Sequence, residues 1–150
     1  MRKHLYTALV NTLKGIPEIK HIDLWNQNVD FIEQESPWPR PAVFIEFAPT
    51  TWSPLAGPFL RWRGSGQINL HIVTDWSGQA EPGTEEMESN LIGWALAEKI
   101  QKAMEGLRGK GFDSVTISST VTNHNHEDIV DNVEVYSFRA ERQIYSGDAD

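Results

Sequence analysis

The sequence predicts an α+β fold: a mostly antiparallel sheet, two helices packed on one face, and a long hairpin arm. Three observations predict it. Apolar residues recur at helical spacing over 3–13 and 85–107, whereas the other apolar segments alternate with a period of two. Strand-type segments come in neighbouring groups instead of alternating singly with helices, which argues against parallel βαβ units. The 150 residues, 39% apolar and 23% charged, suit one soluble globular domain over residues 1–145, with a frayed tail at 146–150.

The first helix is predicted over 3–13, where Leu5, Leu9 and Leu13 step by four along one face and Gly15 and Pro17 supply the stop. A strand follows over Ile19–Trp25. Pro37, Pro39 and Pro41 then forbid regular pairing. Ala42–Phe47 alternates Val43, Ile45 and Phe47 against Phe44 and Glu46, a strand pattern. Pro49, Pro54, Gly57 and Pro58 mark a loop or the tip of a long hairpin, and strand pattern resumes over Leu60–Asp75, with Gly64 and Gly66 as a bulge or bend.

Thr84 is an N-cap candidate ahead of Glu85 and Glu86, which the helix dipole favours in a first turn. That helix is predicted to run to Leu107 as one piece, with Ile92, Leu96, Ile100, Ala103 and Leu107 as its buried stripe. Val115, Ile117, Ser119 and Val121 share one face of the next strand. His124–Asn132 reads as a polar loop, and Val133–Ile144 as the last strand.

Charge and composition exclude several functions. The net charge is −8, from 21 acidic and 13 basic residues, with no run of Lys or Arg. Tight binding to nucleic-acid phosphates or to an anionic membrane surface is disfavoured. There are no cysteines, so disulfides, thiolate metal sites and cysteine nucleophiles are ruled out. No apolar run approaches the ~18–20 residues that span a bilayer. The N-terminus lacks a signal-peptide core, so synthesis inside a cell is expected.

Chemistry is sparse. No phosphate-binding glycine loop, nucleophile elbow or paired-histidine zinc motif is present. His124 and His126 point to one side of an extended segment, with Glu127, Asp128 and Asp131 near in sequence. Two histidines without a distant third ligand fall short of a metal site, and Asn and Asp favour turns for local reasons. The reading is therefore no enzyme, no cofactor and no metal. A small metal-dependent enzyme using His124, His126 and Asp128 is the alternative. His71 and Glu46 interrupt strands, and an acid–base role for either needs a partner that the sequence does not identify.

Aromatic excess points elsewhere. Six tryptophans are present. Trp52, Leu55, Phe59, Leu60 and Trp62 crowd a connection rich in Pro and Gly. Met87, Leu91 and Trp94 form a second apolar face of the long helix, roughly opposite its main stripe. An apolar arm and a second apolar face favour docking between subunits. A loop folded back over a core edge, or an aromatic pocket for a small molecule, also accounts for such residues.

With the helix of Arg2–Leu13, the strand Pro41–Phe47, the hairpin returning through Gly64–Val73, the helix over Glu85–Leu107 and the last hairpin with His126-Glu127-Asp128, the chain resembles the tail terminator (tail completion) proteins of long-tailed phages and prophages. The resemblance covers residues 2–145. It implies a homo-oligomeric ring, typically a hexamer, that caps the tail tube and joins it to the head-side connector. DNA would pass through the lumen without tight binding, and no membrane is involved. Assembly would occur in the host cytoplasm, and the protein would then belong to the virion tail. The segment around His124, His126, Glu127 and Asp128 becomes a candidate contact to tube or connector.

Overall fold

The computed structural model describes residues 1–26, 38–57, 60–76, 81–123 and 129–144. The elements are α1 (Arg2–Lys14), β1 (His21–Leu24), β2 (Ala42–Pro54), β3 (Leu60–Asp75), α2 (Glu85–Asn90), α3 (Ile92–Met104), β4 (Phe112–Asn123) and β5 (Ile129–Ile144). The strands form one sheet in the order β1-β2-β3-β5-β4. The short β1 runs parallel to β2, and all other pairs are antiparallel. The α+β class and the mostly antiparallel sheet are as the sequence predicts.

The helices cover one face. Leu5, Leu9 and Leu13 of α1 are fully buried with Val43 and Ile45 of β2, Ile68, Leu70 and Ile72 of β3, and Tyr136 and Phe138 of β5. This is what period-two strands and a period-3.6 helix must do to remove their apolar sides from water. The other face carries a smaller cluster in which Ala42, Phe44, Val73 and Ile129 pack beneath Trp25 and Trp38.

Five expectations are corrected. First, the long helix is broken at Leu91. Thr84 does cap its start, accepting the Met87 amide at 3.2 Å. After the break Gly93 faces the sheet, close enough that a Cβ there would meet Asn132 Nδ2 at 2.8 Å. The buried stripe of α3 is therefore Gly93, Leu96, Ala97, Ile100 and Met104. Ile92 is 47% exposed and Ala103 is exposed. The helix stops at Met104 because Gly106 takes φ 75, which a glycine adopts without steric cost.

Second, β2 continues through Pro49 to Pro54. A bulge between Phe47 and Thr50 carries one extra residue, so Trp52 lands on the helix side although Phe47 already does. Third, Gly64 and Gly66 are not the bulge. They make room: a Cβ would come within 2.8 Å of the Trp52 ring at Gly64 and 2.7 Å of the Phe138 ring at Gly66. Fourth, β5 starts at Ile129, so Asp131 and Asn132 are buried strand residues and not part of a loop. Fifth, in β4 a register shift between Ile117 and Ser119 sends Val121 to the face opposite Ile117, where it is 55% exposed. Thr120 and Thr122 take the helix side in its place and donate to Glu134 (2.5 Å) and Asn132 (2.9 Å).

Candidate functional site

On the sheet face away from the helices, β2, β3 and β5 converge on His71. The register sets Phe44 opposite His71, Glu46 opposite Asn69, and Asp131 opposite Val73. Alternation then puts Glu46, Asn69, His71 and Asp131 on one face. His71 Nδ1 lies 2.9 Å from Asp131 Oδ2, and Nε2 lies 2.9 Å from Glu46 Oε1. Asn69 Nδ2 donates to the same Glu46 oxygen at 2.9 Å. Trp25, just after β1, stacks on the imidazole at 3.7 Å with planes 5° apart. The side chains of His71 and Asp131 are 9% and 3% exposed, whereas that of Glu46 is 37% exposed.

Carboxylates can only accept, so a histidine held by two of them is satisfied when both ring nitrogens carry protons. Burial alone pushes the His71 pKa down. The hydrogen bond and charge of Asp131, then those of Glu46, overcome it and hold the pKa above its ordinary value. For Glu46, burial pushes up, but the bonds from Asn69 and His71 and the imidazolium charge bring its pKa below the ordinary value. The arrangement is a buried Asp131–His71–Glu46 relay with one carboxylate at the rim. It supplies the partner that the sequence left unidentified for Glu46 and His71. Asp131, near His124 and His126 in sequence, pairs with His71 in the structure.

The arm lies at the other end of β3. There β2, β3 and β5 extend together, with Trp52 paired to Gly64, Trp62 to Arg142 and Leu60 to Ile144. Trp52 is half-buried against the main core, and Arg142 sits 4.8 Å above its ring. Leu55 and Trp62 are half-buried. Leu60 is 60% exposed and Ile144 39% exposed. Phe59 lies outside the described residues, as do His124, His126, Glu127 and Asp128.

Met87 and Leu91 are half-buried at the α2–α3 elbow, and Trp94 is 54% exposed there while donating from Nε1 to Asn132 Oδ1 at 3.2 Å. The structure thus separates the sequence-predicted interface residues into two patches, arm and elbow. Ile92 and Ile144 join these patches without having been foreseen. The break at Leu91 exposes Ile92, and antiparallel pairing with Leu60 places Ile144.

No family model and no curated protein matches the chain. A chain from the virion of a native gene transfer agent (GTA) particle is similar in structure, with a TM-score of 0.49 and 13% sequence identity over 95% of each chain.

Proposed function

We propose that this chain is a structural assembly protein and not an enzyme: the subunit of a homo-oligomeric ring that caps a phage or prophage tail tube and joins it to the head-side connector. The observation that carries the reading is the arm. Among the described residues, its strand ends leave Leu60 60% and Ile144 39% exposed beside a half-buried Trp62, an apolar patch that a second subunit would remove from water. Each Å² of such surface left exposed costs roughly 25 cal/mol. The sequence layout, which resembles tail terminators, supplies the kind of assembly, and a hexamer is the expected ring.

The acidic balance supports a lumen through which DNA passes without tight binding. The assembly site is the host cytoplasm and the final site the virion tail. The residues 124–128 supply the expected contact to tube or connector. Native mass spectrometry of the purified protein, alone and with polymerised tail tubes, tests the reading. A ring mass, or rings at tube ends in electron micrographs, is expected. A protein that stays monomeric at high concentration and leaves tube ends bare would sink it.

A further inference from the structure

The two apolar patches lie at opposite ends of the molecule and differ in charge. Alternation along β2, β3 and β5 puts Trp52, Leu60, Trp62, Arg142 and Ile144 on one side of the arm, the helix side, with no acidic residue among them. Beside them α1 begins, with Arg2 and Lys3 and no acidic residue along its length. Arg2, Phe47, Thr50, Trp52 and Arg142 line a groove of about 430 Å³ there. At the elbow the charges are negative. Glu81, Glu85 and Glu88 are exposed around Met87, and residues 81–98 contain no Lys or Arg, while the nearby Asp75 is already paired with Arg40.

The elbow packs over the far end of β3, where a Cβ on Gly93 would lie 3.3 Å from Thr74. Trp62 and Thr74 are separated by a dozen strand residues, roughly 40 Å at ~3.3 Å each. Arm and elbow therefore cannot meet within one subunit. Arm against arm would set Arg142 and Arg2 against their own copies, and elbow against elbow would set glutamates against glutamates.

We propose that the helix-side face of the arm docks on the α2–α3 elbow of a second copy. Leu60, Trp62 and Ile144 would then pack on Ile92 and Trp94, with Arg142 and Arg2 facing Glu85 and Glu88. Such a contact joins two different surfaces, so it propagates and closes into a ring when the rotation permits. It rests on the ring reading above and assigns that ring its polarity.

A mixing experiment tests it. Leu60→Asp spoils the arm and keeps the elbow, while Ile92→Asp does the reverse. Both sites are well exposed, so the fold should survive, as far-UV circular dichroism and a cooperative melt will show. Each variant alone should self-associate at least about tenfold more weakly than the natural protein, because a charge at an interface centre removes an apolar anchor. An equimolar mixture should give a one-to-one dimer by analytical ultracentrifugation, since one intact arm then meets one intact elbow. Raising salt should weaken assembly of the natural protein. If Leu60→Asp fails to fold, Ile144→Asp takes its place on the same face. A mixture that stays monomeric, or an Ile92→Asp protein that associates as well as the natural one, overturns this pairing and leaves the ring reading standing. A natural protein that is monomeric both alone and with tail tubes overturns both.

Discussion

Replacing His71 with phenylalanine keeps a flat ring beneath Trp25 and removes the two hydrogen bonds to Asp131 and Glu46. What remains is the Asp131 carboxylate, 3% exposed, with its other oxygen already lacking a hydrogen-bond partner among the described residues. Breaking a buried pair from one side costs about 3–5 kcal/mol, because a charge is left where water cannot reach it. Replacing both partners with apolar residues of similar size is often neutral. His71→Phe is therefore expected to lose about 3–5 kcal/mol, or roughly 6–20 °C in Tm for a chain of this length. His71→Phe with Asp131→Val should recover most of that loss. Urea unfolding at pH 6, followed by circular dichroism, of the natural protein, His71→Phe, Asp131→Val and the double variant gives all four corners of the cycle. A single variant within the ~0.5 kcal/mol of a surface change, or a double variant no better than the single, refutes the relay.

The same groups fix a pH dependence. The His71 pKa is raised in the fold, so its stabilisation is complete below the ordinary value of 6.5 and fades as pH rises through the folded value. The Glu46 pKa is lowered, so its part is present above the ordinary 4.5 and fades as pH falls through the folded value. The stability advantage of the natural protein over His71→Phe should peak between these values and shrink on the alkaline side. An advantage that grows from pH 6 to pH 9 contradicts the sign. Glu46→Gln should matter less, since its side chain is 37% exposed and water screens the charge.

Three further substitutions probe the packing, all read by chemical denaturation. Leu96→Ala, at a core position 4% exposed, should cost about 2–5 kcal/mol, and a loss below ~0.5 kcal/mol would remove α3 from the core. Gly66→Ala would place a methyl 2.6 Å from Thr50 Oγ1 and 2.7 Å from the Phe138 ring. It should cost about 1–3 kcal/mol through forced shifts, and a neutral result would mean that β2 and β5 yield freely there. Tyr136→Phe removes a buried hydroxyl with no hydrogen-bond partner among the described residues, so stability should be unchanged or rise. A loss above ~1.5 kcal/mol would contradict that, since it is what a made hydrogen bond contributes.

Much of the fold was legible because its signals are local. The four-residue steps of Leu5, Leu9 and Leu13, the alternation of Ile68, Leu70 and Ile72, and the cap at Thr84 each lie within one segment, and each appears where expected. What failed was phase. One extra residue between Phe47 and Thr50 decides which side Trp52 takes. A second irregularity in β4 exchanges Val121 for two threonines. The stripe of α3 shifted because the turn at Leu91 let glycine approach the sheet in place of Ile92. Period arguments give a face only up to the next bulge or break, and neither advertises itself in residue type.

The relay was illegible for a different reason. Glu46, His71 and Asp131 lie on three strands, 25 and 60 residues apart in sequence for the two bonded pairs. Only register brings them together. Each looked ordinary alone: an acid on an apparent solvent face, a histidine among apolar neighbours, an aspartate in an apparent turn. Together they are costly to bury unless all three are present, and that interdependence is their physical signature. A buried ion pair weighs little for net stability, but it penalises every register in which its members miss one another. A slip of β5 against β3 by one residue would turn Asp131 toward the apolar helix side and leave His71 without its buried partner. Farther along the arm, Trp52 pairs with Gly64 and Phe138 with Gly66, so a slip there would set a large ring against a neighbour that lacks the room glycine leaves. The relay in the middle of the sheet and these rings over glycine therefore hold together the alignment that places Leu60 beside Ile144 at the tip of the arm.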